Sequence, residues 1–353
     1  MRLYFLLFLT IVFIVACKKN DVIDHDEEQS NWTKIVIDTI PWVLSNHLNC
    51  RISDIYFNDN KTGFIIGSRD YRDFVEVLFK TEDGGETWML NKIGGGDLGK
   101  AILFATQTNG FSVRHNPMTE NTIIDETNDG GTNWFEYGIY DDHDVYVPSG
   151  SAFRIDALNL IIGNLKSKDG GETWQVYGQI FGPCYFRDIN YGVFLARKYN
   201  GLIMKTNDFC ETWDTIFNND LFSFSCIQMI DSNTIIAGGN KIIRSTDKGL
   251  SWEETDLDQS VRDIKFIDEK IGFAACGESG DSDEYGVSYH YGSIFKTIDG
   301  GVTWNVNYSS EIMDFTSLFI IDDQTIIAAG NQQIKEKVLD RATYILKTTT
   351  QGD

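Results

Sequence analysis

Residues 81–88 read TEDGGETW, and five further stretches repeat that octet: TNDGGTNW (127–134), SKDGGETW (167–174), TNDFCETW (206–213), STDKGLSW (245–252) and TIDGGVTW (297–304). Their Asp residues stand at 83, 129, 169, 208, 247 and 299, so the steps are 46, 40, 39, 39 and 52. Periods of this size mark repeat folds made of small antiparallel units, none of which buries its apolar face alone. Six of the eight Trp residues close these octets, leaving Trp32 and Trp42.

The flanks repeat too. Before each octet runs a short apolar stretch, in most copies ending in a basic residue plus Thr or Ser, as in VLFKT (77–81), LIMKT (202–206), IIRST (242–246) and SIFKT (293–297). Before that comes a Gly-flanked run such as GFIIG (63–67) or TIIAAG (325–330), and earlier still an alternating segment such as SDIYF (53–57) or RDIKFI (262–267). These read as three strands, and the residues after the octet Trp give a fourth. The Ala- and Gly-rich second strand is expected where strands converge on a narrow axis. Four strands per unit describe an all-β fold, a β-propeller of four-stranded antiparallel blades.

Six octets give six blades, yet a seventh set of strands comes after them: TSLFII (316–321), TIIAAG (325–330) and TYILKT (343–348), ending without an octet Asp or Trp. NWTKIVIDT (31–39) reads like the segment after each octet. It is therefore expected to supply the last blade's outer strand and to close a seven-bladed ring, leaving no open edge. Residues 31–353 then form the propeller, at about 46 residues per blade.

The octet resembles the Asp-box of sialidases, xyloglucanases and the photosystem II assembly-factor-like propellers, where it turns between a blade's third and fourth strands. Its composition suits a turn: the carboxylate accepts N–H groups, Gly tolerates positive φ, and Trp covers the turn with an apolar ring. Asp83, Trp88, Asp129, Trp134, Asp169, Trp174, Asp208, Trp213, Asp247, Trp252, Asp299 and Trp304 are thus read as structural. Catalytic carboxylates work as one unequal pair in one cleft, not as six copies around a ring. The fourth octet departs from the pattern, with Phe209 and Cys210 in the Gly positions, and is expected to be wound differently or strained.

Function is expected on the opposite face, in the loops joining second to third strands and blade to blade. The longest, between Glu136 and Phe153 and between Gly277 and Ile294, are taken to explain the 46- and 52-residue steps. Candidate binding residues in these loops are Arg69, Arg72, Tyr140, His143, Tyr146, Tyr285, Tyr289, His290 and Tyr291, whose amphipathic rings and charges suit a protein or glycan. No catalytic residue, metal ligand or cofactor site is assigned. The sialidase likeness implies an F/Y-R-I-P signature before the first box and three Arg residues holding a substrate carboxylate. Here FRID (153–156) comes after the second box and lacks Pro. The single ring of short boxes is closer to the photosystem II assembly-factor-like propellers, which implies a protein-binding role. A glycan-cleaving enzyme and a structural subunit of an envelope complex remain the alternatives.

The chain has 353 residues with 30 Lys+Arg against 52 Asp+Glu, a net charge of −22. Nucleic acid is excluded as a default partner, since the field repels a polyanion and no basic patch interrupts it. Leu3 to Ala16 is an apolar run of about fourteen residues, short of the roughly 20 that span a bilayer. It ends in IVAC (14–17), resembling the bacterial lipoprotein signal, which implies that residues 1–17 are a signal and that Cys17 is lipidated. Residues 18–30 read as an acidic tether. The expectation is a monomeric propeller, exported and lipid-anchored through Cys17 in the bacterial cell envelope, by that resemblance at the outer membrane. The other five cysteines form no CxxC and read as buried thiols.

Overall fold

The computed structural model describes residues 31–37, 50–69, 75–94, 96–141, 145–178, 182–196, 201–282, 288–332 and 343–352. Cys17, the tether, Trp42, Arg72, His143 and Tyr285 lie outside these residues. The 28 strands form seven four-stranded antiparallel sheets. In six of them the strands follow chain order, each hydrogen-bonded to the next. In the seventh, Met313–Ile320, Ile326–Gln332 and Thr343–Thr348 are completed by Thr33–Ile37, which pairs Thr33 with Lys347 and Ile37 with Thr343. The N-terminal strand closes the ring, as the repeat arithmetic requires.

The first strand of each blade is the inner one, and first strands pack against first strands around the axis. This corrects the placement of the second strands. Their small residues (Ala274, Ala275, Ala328 and Ala329, all 0% exposed) face neighbouring blades in the core, as where Ala329 and Ile327 of blade 7 pack with Ile55 and Phe79 of blade 1. Five first strands carry a bulge at one height. Ser53, Lys100, Ser225, Arg262 and Thr316 are each skipped by the ladder to the second strand. The second-strand Gly belongs to this device. A Cβ on Gly67, Gly239 or Gly330 would sit 2.3, 1.7 or 1.7 Å from the carbonyl oxygen of Arg51, Ser223 or Asp314, just before the bulge. Only a residue without a side chain lets the bulged strand approach so closely.

The 276–292 segment is chiefly strand rather than loop: Gly272–Ser282 and Ser288–Thr297 form a long hairpin, with Glu278 opposite Tyr291 and Ser279 opposite His290. This excursion accounts for the 52-residue step. The 46-residue step has another source. Blade 2 has seven-residue strands (Leu98–Phe104, Gly110–Asn116, Asn121–Thr127), whereas blade 3 has three-residue ones that offset the long connection following Phe135–Asp141.

In the first box, Thr81 Oγ1 donates to Asp83 Oδ1 (2.7 Å) and accepts from Gly85 N (3.0 Å), while Thr87 N donates to Asp83 Oδ1 (2.9 Å). Trp88 Nε1 donates to Gly85 O at 3.1 Å. The fourth box keeps the same winding without Gly: Phe209 and Cys210 sit at φ 52° and 67°, a left-handed conformation that strains L side chains. The chain end, though lacking Asp and Trp, repeats the winding as well. Gly352 N donates to Thr348 Oγ1 (3.0 Å), and Trp32, immediately before the closing strand, packs edge-on against Phe273. This seventh box is split between the two ends of the chain.

Six of the seven box turns, the one at 348–352 included, are tied to the first-to-second-strand turn of their own blade, as in Gly84 N to Lys61 O (2.8 Å) and Gly300 N to Lys270 O (2.9 Å). The boxes therefore share one end of the ring. A second set of Asp residues caps those neighbouring turns: Asp59, Asp156, Asp188, Asp231, Asp268 and Asp322 each accept main-chain N–H groups within three residues. The repeated basic residue before the box reaches the next blade. Lys166 donates to Phe209 O (3.0 Å), Arg244 to Gly300 O (2.8 Å), Lys296 to Gln351 O (2.9 Å), and Lys347 to Gly84 O (2.9 Å) across the ring closure.

Candidate functional site

Two cavities of about 490 and 440 Å³ occupy the central channel and share Ser149, Pro183, Ser225, Arg262 and Thr316. The larger is bordered by the linker residues Tyr146, Pro148 and Ser149 and by the second-to-third-strand connection of blade 4 at Leu195, Ala196, Gly201 and Leu202. Such connections lie at the end of the ring away from the boxes, so this is the mouth on the loop face. The smaller cavity lies along the first strands, walled by Asp54, Tyr56, Arg154, Tyr185, Gln228, Asp263, Lys265 and Phe319 among others. All five bulged residues line one cavity or both.

The inner carboxylates are engaged by main chain. Asp54 follows the bulge of blade 1; one oxygen accepts Ile55 N (2.9 Å) and the other Ile102 N of blade 2 (3.1 Å). Asp263 repeats this in blade 6, accepting Ile264 N (2.9 Å) and Leu318 N of blade 7 (2.9 Å), with Lys265 Nζ at 3.0 Å. Each carboxylate staples two blades. Removal from water raises the Asp54 pKa to about 7, against the lowering effect of its hydrogen bond from Ile102. Desolvation opposes the charge on Lys265, but Asp263 beside it raises its pKa on balance.

Ionisation thus acts oppositely at the two ends of the ring. In the boxes the Asp129 carboxyl is held at about 2, first by Asn133 N–H, and those of Asp208 and Asp247 at about 2, first by the Thr212 and Ser251 hydroxyls. Their folded pKa lies below the unfolded value of about 3.9, so their stabilisation is complete above pH ~4 and lost toward pH ~2. Asp54, and the fully buried Glu76, whose pKa burial raises, bind protons more tightly when folded. For both, stability falls as the pH rises above ~4, and for Asp54 the fall runs toward pH 7. The urea midpoint should rise between pH 2 and 4 and then decline toward 7, and Asp54→Asn should flatten the decline while leaving the acid limb intact. A midpoint unchanged by Asp54→Asn at every pH would contradict this.

Among the described residues, Tyr140, Tyr146 and Tyr291 stand in three separate surroundings. Tyr146 is 38% exposed and borders the outer cavity. Tyr140 packs, partly buried, against the core around Val145 and Val147. Tyr291 is exposed on the long hairpin, its hydroxyl 3.5 Å from Glu278 Oε2. Tyr289 and His290 lie on the same strand, and Arg69 on the strand Gly63–Arg69. Arg154 and Arg262 line the channel, whereas Arg187 pairs with Asp188 at 2.9 Å. Lys100 and Lys265 were not singled out by the sequence. The alternation in SDIYF and RDIKFI marks the inner strand, but a one-residue bulge leaves no trace in such a pattern. Among the described residues no group of three or more His, Cys, Asp or Glu is placed to hold a metal ion. The five described cysteines are free thiols, Cys184 half-buried and the others buried.

No protein-family model matches the sequence, and none of the curated proteins matches it. Solved structures do. One described as YCF48 bound to D1 peptide is 16% identical with a TM-score of 0.66, covering 92% of this chain and 96% of that one. YCF48 from Cyanidioschyzon merolae is 16% identical with a TM-score of 0.60, over 90% and 98%. A protein of unknown function from Dyadobacter fermentans is 11% identical with a TM-score of 0.50, over 90% and 99%. The chain is a seven-bladed β-propeller, similar in fold to the two YCF48 structures. At these identities the likeness is one of fold.

Proposed function

We propose that this is a non-enzymatic binding propeller, exported and lipid-anchored through Cys17, that takes a protein or glycan at its loop face. The observation that carries the reading is the engagement of Asp54 and Asp263 by main-chain N–H groups of two blades each. A general acid or nucleophile needs an oxygen turned toward substrate, and both oxygens of each carboxylate face their own scaffold. The peptide bound by the YCF48 propeller supports binding as a use of this architecture. A second reading, glycan cleavage, draws on the Asp54 pKa of about 7 in a cavity that also holds Asp263. A panel of aryl glycosides separates the two. Binding alone predicts no turnover, whereas hydrolysis abolished by Asp54→Asn or Asp263→Asn would establish the enzyme. Anchoring has its own measurement: Cys17→Ser should move the protein from the membrane to the soluble fraction, since acyl chains supply the attachment. Unchanged fractionation would remove the anchor.

A further inference from the structure

The mouth of the channel has a chemistry that runs against the chain's composition. With a net charge of −22, a surface taken at random here is acidic. Yet the outer cavity is lined by Lys100 and Arg262 with the hydroxyl residues Ser225 and Thr316, and by no carboxylate among the described residues. These four are bulged residues of blades 2, 6, 5 and 7. A bulge re-aims a side chain that regular alternation would send elsewhere, and here the same irregularity at the same height brings all four to one cavity. Gly150 N donates to Lys100 O at 2.9 Å, tying the blade 2 bulge to the linker that supplies Ser149. Arg262 is exposed, and its Nε donates to Gly277 O at 3.3 Å. Its terminal nitrogens make no ion pair among the described residues. Lys265, deeper in, is already committed to Asp263.

We propose that the outer cavity binds a small oxyanion, a carboxylate, sulfate or phosphate group on its ligand, between Arg262 and Lys100, with the Ser225 hydroxyl as a further donor. This deepens the loop-face reading and rests on it, naming the group that the face grips. Arg presents a planar fork of donors to such oxygens, and charge-assisted hydrogen bonds are the stronger kind. The whole-chain field repels anions, so the hold must come from these short contacts rather than from long-range steering. Tyr146, Phe224 and Leu202 flank the polar group with apolar surface, which suits an oxyanion carried on an organic body.

Propionate, sulfate and inorganic phosphate, titrated into the isotope-labelled propeller at constant ionic strength, test this directly. The expected result is a saturable shift of the Arg262 Nε–H resonance with at least one of the three. Saturation by propionate points to a carboxylate ligand, and saturation by phosphate or sulfate to a phosphorylated or sulfated one. Affinity measured by calorimetry should fall at least tenfold in Arg262→Gln and in Lys100→Gln, and stay unchanged in Lys241→Gln, whose side chain pairs with Asp256 on the outer edge of blade 5. Should Arg262→Gln fail to fold, the wild-type resonance gives the same answer. No saturable shift with any of the three, or undiminished affinity in both cavity variants, would overturn the proposal. A protein or glycan partner that binds the loop face while all three anions leave Arg262 unmoved would remove the oxyanion site and keep the loop-face reading.

Discussion

Deletion of residues 31–37 should abolish cooperative folding. That segment supplies the outer strand of blade 7, pairing with 343–347 over five residue pairs. It also buries Trp32 (7% exposed), Ile35 (9%) and Ile37 (3%). Trp32 packs edge-on to Phe273 at 6.3 Å and donates to Asn307 Oδ1 at 2.7 Å, so it bridges blades 6 and 7. Without the segment, Thr343–Thr348 becomes an open edge and the blade 6 core loses its cover. Trp32→Ala alone should cost about 3–5 kcal/mol, as other buried aromatic truncations do. The full deletion should yield aggregated protein or a broad, non-cooperative urea transition. A deletion variant with the wild-type midpoint would mean that the ring is closed by some other contact.

Gly330→Ala is the second large effect. Its Cβ would stand 1.7 Å from Asp314 O, a main-chain atom that cannot rotate away. Either the first strand of blade 7 moves off the second, or the bulge at Thr316 is expelled. Overpacking of this kind costs about 1–3 kcal/mol when side chains can adjust, and a backbone clash belongs at or above the upper end. Gly239→Ala, with the same 1.7 Å approach to Ser223 O, should behave alike at Ser225. Chemical denaturation measures the loss. Two alanine variants of wild-type stability would show that the strands are not so close, and the bulges would lose their physical basis.

The fold was legible because repetition multiplies a weak signal. One octet is a turn with a Trp after it, but six at near-constant spacing fix the blade. NWTKIVIDT supplied the missing outer strand because it matches the fourth-strand segment after each box Trp. Chain statistics could not reach features that depend on one residue. The bulges at Lys100 and Arg262 interrupt the alternation by a single position, so the cations they aim into the channel looked like ordinary strand residues. Gly and acid in CGESGDSDEYG (276–286) suggested a loop, whereas backbone pairing across the hairpin carries the first strand through to Ser282. The basic residue before each box was visible as a pattern, but its purpose, a hydrogen bond to a neighbouring blade's box in four places, needed the ring to be assembled. The acids divide similarly. Asp83 and its equivalents were readable as turn residues from the octet, while Asp59 and its equivalents were hidden in short turns with no Trp to mark them.

Scaffold at the box end of the ring and recognition at the channel mouth is the division of labour to be tested. A photo-reactive amino acid placed at Ser225, at the mouth, and separately at Thr132, exposed in the second box, compares the two ends in living cells. Cross-linking of a discrete partner from position 225 and none from 132 is the predicted outcome. Cross-linking from 132 with none from 225 would move recognition to the box end and contradict that division.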